Sequence, residues 1–298
     1  MSTAPSSANS PPNSPLLGCF WMFVTGLMFV AVTGVVKWIG ADVPAAQAAF
    51  LRYLMGLVFL VPVIPALRRM RLTRADLWVS TLRGAAHTVA VMCWFFAMSR
   101  IPVADVTSLN YLSPIYVTLG AALFLGERLS YVRLSAIAVA FVGALIILRP
   151  GFREVELGHL AMLVTGLCFG ISYLTAKQLS GHISAAGIVA ILSVTVTIGL
   201  APFAWAVWVP VSWQDLAALF VVAILATAGH YTMALAFQAA DVTVTQPMTF
   251  LQLIWAVLLG WFVFGEPVDA WVIVGGTVIV IAVVTIALRE ARLKRRAA

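Results

Sequence analysis

The stretch LNYLSPIYVTLGAALFLGERL, Leu109–Leu129, is apolar enough to cross a bilayer, yet it carries Asn110, Pro114 and Gly120 and ends on Gly126-Glu127. MTFLQLIWAVLLGWFVFGEPV, Met248–Val268, repeats its plan. At an offset of 139, Leu112 falls on Leu251, Ile115 on Ile254, Leu119 on Leu258, and Gly126-Glu127 on Gly265-Glu266. Tyr111 meets Phe250 and Tyr116 meets Trp255. Upstream, ADVT recurs at 104–107 and 240–243, and Lys37 at the end of the first apolar run is echoed by Lys177 at the end of the sixth. The chain is therefore read as two copies of one unit.

Composition sets the solvent of that unit. Of 298 residues, 62% are hydrophobic and 10% charged, far from the balance of a soluble domain. About 20 apolar residues cross the hydrocarbon layer, and ten runs qualify: 16–38, 45–66, 77–99, 104–125, 131–149, 157–178, 184–206, 215–237, 243–264 and 269–288. The fold class is all-α integral membrane, with ten transmembrane helices. Residues 1–15 read as a disordered cytoplasmic tail, 16–149 and 157–288 as the two repeats, and 289–298 as a basic cytoplasmic tail. The tail MSTAPSSANSPPNSP lacks the basic start of a signal peptide. The net charge of +7 is spread in short clusters between spans, which excludes a nucleic-acid partner. Cys19, Cys93 and Cys168 sit in apolar runs without metal or disulfide spacing.

Orientation follows from the basic residues. With the N-terminus inside, thirteen of the eighteen Lys and Arg fall on the cytoplasmic side, and only Lys37, Arg52, Arg100, Arg149 and Arg153 on the other. The positive-inside rule thus places both termini in the cytoplasm of a bacterial-type inner membrane. Five spans per copy is an odd number, so the second copy enters from the opposite face. The repeats are inverted, as in secondary transporters whose substrate site lies between the halves.

Five-helix repeats, LFLGERLS and FVFGEPVD after the fourth and ninth spans, and a basic tail after the tenth together resemble the EamA branch of the drug/metabolite transporter (DMT) superfamily. Among its members the chain looks most like the YddG-type amino-acid exporters or the riboflavin and S-adenosylmethionine permeases. The resemblance implies alternating access around a cavity lined mainly by the third, fourth, eighth and ninth spans, helped by the first and sixth. It implies a small-molecule substrate, most simply a neutral or aromatic amino acid for export, no cofactor, and a monomer or homodimer in the lipid bilayer.

Asn110 and Ser113 share a helix face, as do their repeat mates Thr249 and Gln252. They either touch a ligand or bond helix to helix. His87 and Trp94 lie on one face of the third span, and His230 and Tyr231 at nearly equivalent places on the eighth. With Tyr111 and Phe250 they suit an apolar pocket that fixes a few polar atoms. Pro114 lacks the N–H that its helix needs and is read as a gating kink. Arg52 lies deep in the second span, as a partner for a substrate carboxylate or for backbone carbonyls. Arg83 reads as an orientation signal, Lys37 and Lys177 as snorkelling to the surface, and Asp105 as an N-cap. Glu127 and Glu266 read as surface or capping groups. All eleven acids fall in loops or near span ends, which leaves His87 or His230 for any proton coupling. No HxxxxD, DDxxD or HExxH pattern supports a multispan transferase.

Overall fold

The computed structural model describes residues 14–113, 115–116, 131–149, 154–240, 245, 248–249 and 251–297. Pro114, read as a gating kink, and Phe250, read as a pocket wall, lie outside the described residues, as does Glu127. The described residues form helices only. They are α1 (Pro15–Ile39), α2 (Ala45–Gly56), α3 (Arg74–Met98), α4 (Val103–Asn110), α5 (Tyr131–Leu148), α6 (Leu157–Leu179), α7 (Ala185–Ala206), α8 (Trp213–Ala239), α9 (Leu251–Phe264) and α10 (Ala270–Ala297).

The helix ends follow local chemistry. Ser14 caps α1 and Ser212 caps α8, each through its hydroxyl. At the start of α3, Thr73 and Asp76 form a reciprocal capping box. Asp76 also accepts from His182 Nε2 at 2.7 Å. The Thr73 backbone N–H, the Thr73 hydroxyl and His182 together hold its carboxyl down at about 2. Two spans depart from their apolar runs. The second turns 3-10 over Leu57–Val63, where Pro62 cannot donate, and ends in a helical turn at Ile64–Arg69. The last continues through the basic segment to Ala297 rather than stopping at 288, because Arg, Lys, Glu and Ala are good helix formers once a helix is started.

The packing is that of two inverted five-helix repeats. Helix α1 lies along α8 as α6 lies along α3, and α1 meets α9 as α6 meets α4. Pairs α2–α7, α4–α9 and α5–α10 are self-matched. The α5–α10 pair shows this at atomic scale: an added Cβ on Gly143 would lie 2.7 Å from Ile279 Cγ1, and one on Gly275 would lie 2.6 Å from Ile147 Cγ1. Each glycine faces the isoleucine that follows the other by four residues, so the two backbones cross in contact.

At the Lys37 end of the bundle, Gln47 clamps the α7–α8 loop, donating to Val209 O at 2.7 Å and accepting from Val209 N at 2.9 Å. Asp105 is not the N-cap of α4, which is Pro102. It sits in the first turn, 1% exposed, and its Oδ2 lies 3.0 Å from His159 Nε2. His159 Nδ1 accepts from Glu156 N at 3.1 Å, which leaves Nε2–H to donate to Asp105. A polar group this deeply buried needs such a partner.

Candidate functional site

Between the halves lies a cavity of about 990 Å³, counting its open mouth. Helix α1 contributes Thr25, Phe29 and Thr33, four residues apart and hence on one stripe. Helix α2 brings Arg52 and Tyr53, α3 His87 and Trp94, α4 Thr107 and Asn110 with Tyr111 and Ser113 just beyond it, α6 Phe169 and Tyr173, and α8 His230. Thr249 and Gln252 close the ring from the ninth span.

The walls are aromatic and interlocked. Phe29 meets Trp94 edge-on at 6.1 Å between centroids and His230 at 5.2 Å. Trp94 meets Phe169 at 5.9 Å, and Phe169 stacks on Tyr173 at 5.6 Å with 17° between planes. His87 touches Tyr53, Phe169 and His230, the last at 5.2 Å. Edge-to-face contacts of this kind fix ring orientation, so the cavity holds its shape before anything enters.

Polar atoms break the apolar wall at a few places. His87 Nδ1 is bonded to Ser172 Oγ at 2.9 Å, and Tyr111 donates to Thr249 O at 3.2 Å. Thr25 and Thr232 share a hydroxyl bond of 2.8 Å. Asn110 Oδ1, Ser113 Oγ, Tyr53 Oη and His230 Nδ1 are buried without a partner. Unpaired buried polar atoms are costly, and four of them on one cavity give a ligand its bonding points.

Of the residues singled out in the sequence, His87, Trp94, Asn110, Tyr111, Ser113, His230, Thr249 and Gln252 all line this space. Tyr231 does not. One residue past His230, it is turned about 100° round the helix and faces outward, 43% exposed. Tyr53, Phe29, Thr25 and Thr33 were missed. Phe29 had a signal: Phe169 follows it by 140 residues, as Lys177 follows Lys37. The pairing of Ser113 with Gln252 has a geometric counterpart, since Gly166 packs beside Ser113 and Tyr116 while Gly26 packs on Gln252.

Several charged groups sit deeper than their sequence reading. Arg83 is 3% exposed and donates to Ile188 O at 3.1 Å. Lys37 does not snorkel. Its Nζ donates to Ile101 O at 2.9 Å and pairs with Glu266 Oε1 at 2.6 Å. Glu266 Oε2 in turn accepts from Val103 N at 3.1 Å. Gly265 explains the dipeptide that ends the repeat: its φ of +64° ends α9 in a conformation that favours glycine, and Glu266 turns back so that its N–H reaches Gly260 O at 2.9 Å. At the opposite end Lys177 donates to Phe237 O at 2.9 Å, and Phe237 is the repeat mate of Ile101 at the offset of the ADVT motif.

Residues 16–149 and 156–288 each match the EamA-like transporter family. The chain is 31% identical over 290 residues to a riboflavin transporter of Rhizobium johnstonii, with 96% of each chain covered. It is 25% identical to the pseudopaline exporter CntI of Pseudomonas aeruginosa, over 90% of this chain and 95% of that one. A solved structure at 16% identity superposes with a TM-score of 0.62 over 93% of this chain and 98% of the other, which speaks to the fold.

Proposed function

We propose, from the premise that the chain belongs to the EamA-like transporter family, that this membrane transporter of small metabolites carries a flat heteroaromatic cargo of the flavin class through the cavity between its repeats. One observation carries the reading: Phe29, Trp94, Phe169, Tyr173, His87 and His230 form a preset box of rings contributed by both halves. A conjugated ring system would pack against the edges and faces these rings turn to the cavity. The unpartnered atoms of Asn110, Ser113 and Tyr53 would meet its hydroxyl and carbonyl groups. The riboflavin transporter of Rhizobium johnstonii, similar over nearly the full length, supports the same class.

Riboflavin titrated into purified protein is expected to lose fluorescence as it stacks in the box. Trp94→Ala should weaken binding about tenfold, the loss of one ring contact and its burial. Asn110→Ala and Gln252→Ala should alter the preference for riboflavin over tryptophan while leaving thermal stability nearly intact. Absence of saturable quenching, with the protein still folded, would sink the flavin reading. The second reading is export of neutral or aromatic amino acids, favoured by the amide and hydroxyl groups on matched faces at Asn110, Ser113, Thr249 and Gln252. Stronger binding of tryptophan than of riboflavin would select it.

We take the monomer as the transporting unit, because described residues of one chain from both repeats surround the cavity. We place both termini in the cytoplasm and the Lys37–Glu266 pair at the outer mouth, on the basic-residue bias described above. Reporter fusions after Arg74, after Arg153 and at the C-terminus should read cytoplasm, exterior and cytoplasm. An exterior signal at the C-terminus would reverse the assignment.

A further inference from the structure

We propose that the cavity is built for cargo with a negative charge: a ring system bearing a carboxylate or phosphate, met by Arg52 in a field to which Arg83 adds from behind the wall. This deepens the reading above and rests on the same cavity being the transport site.

Arg52 lines the cavity at 4% exposure, its guanidinium 3.8 Å from the centre of the Tyr53 ring. Arg83 borders a closed crevice behind the cavity wall, and His230 stands between the two, facing both. The Nε of Arg83 is buried without a partner. His87 and His230, 5.2 Å apart, add two more groups that carry either no charge or a positive one. Among the described residues no Asp or Glu lines either space.

Two cations near the membrane surface are matched, Lys37 by Glu266 and Arg149 by Asp269, whereas among the described residues neither Arg52 nor Arg83 has a carboxylate at ion-pair distance, Arg83 holding only the Ile188 carbonyl. A guanidinium held away from water is costly unless an anion completes it. Low-dielectric walls around charges of one sign focus the field on whatever enters. The planar fork of arginine fits a carboxylate or phosphate through paired bonds. Nor does the fold need this charge as scaffold: the repeat mate of Arg52, at the offset that relates Ala45 to Ala185, is Leu192, also buried.

The test holds the ring constant and varies the charge. Isothermal titration of the purified full chain would compare indole-3-acetate, tryptophan and tryptamine, and separately riboflavin 5′-phosphate and riboflavin. Indole-3-acetate should bind at least about tenfold tighter than tryptamine, tryptophan should fall between them, and the flavin phosphate should bind tighter than riboflavin. Arg52→Gln should bring each pair to within about threefold, while Arg52→Lys, which keeps the charge but loses the planar fork, should fall between the parent and the glutamine variant. Equal binding of indole-3-acetate and tryptamine overturns the proposal, as does a charge preference undiminished in the Arg52→Gln, Arg83→Gln double variant. Should these variants fail to fold, the ring-matched pairs on the parent protein still decide. If the flavins bind but charge orders neither series, the charge proposal falls and the flavin reading stands. If indole-3-acetate beats tryptamine while neither flavin binds, the flavin reading falls and the charge proposal stands.

Discussion

Replacing Gly275 by leucine is expected to leave little folded protein. At this crossing a Cβ on Gly275 would stand 2.6 Å from both Gly143 O and Ile147 Cγ1, and one on Gly143 would stand 2.8 Å from Gly275 O. The obstacle is main chain, so no side-chain rotation relieves it, and α5 and α10 must separate along their length. Overpacking a tight core costs about 1–3 kcal/mol, and with backbone on one side and a fully buried isoleucine on the other the leucine belongs at the upper end or beyond. Gly275→Ala should cost about 1–2 kcal/mol by the same reasoning. Thermal midpoints of the purified variants check this. A leucine variant melting within about 2 °C of the parent would show that the crossing is loose.

The second large effect is expected at another contact between the repeats, the half-buried pair Lys37 and Glu266. Removing either partner, as Lys37→Met or Glu266→Gln, unties the end of α1 from the α3–α4 junction and from the end of α9, because the same two side chains hold Ile101 O and the Val103 N–H. The pair is partly shielded, with side-chain exposures of 19% and 13%, so its worth lies between the exposed and the buried limits, about 2 kcal/mol. That shifts the ratio of closed to open at this end by about thirtyfold. On a background lacking Cys19, Cys93 and Cys168, a cysteine introduced at Thr33 should react faster with an impermeant thiol reagent applied from outside when either partner is replaced. The double variant should add little. Labelling that is the same in parent and variants would mean the pair does not hold this mouth shut.

The sequence reading succeeded where one physical quantity dominated. Long apolar runs located α1, α6, α7 and α8 to within about two residues, because a bilayer demands continuous hydrophobic length. It failed where tertiary packing decided. A basic residue near a span end is compatible with snorkelling, so nothing at Lys37 announced that a carboxylate 229 residues later would fold back to it. Asp105 read as a cap because its position allowed one, and the histidine that neutralises its burial lies in the next repeat. The site was half legible. Polar groups in apolar runs stand out, so Asn110, Ser113, His87 and Gln252 were found, whereas Phe29 and Tyr53 look like any membrane aromatic until the helices are placed.

The match between Lys37–Ile101 and Lys177–Phe237 has a further consequence. If the two halves were identical, inward-open and outward-open forms would be the same arrangement seen from opposite faces, with equal free energy. The resting bias of the carrier therefore resides wholly in the residues that break the duplication. Around the cavity they include Thr33 against Tyr173, Arg52 against Leu192, Tyr53 against Ser193, Asn110 against Thr249 and Ser113 against Gln252. Arg52, Tyr53, Ser113 and Gln252 line the cavity, so a substitution there is expected to change both selectivity and the face of the membrane to which the empty carrier opens.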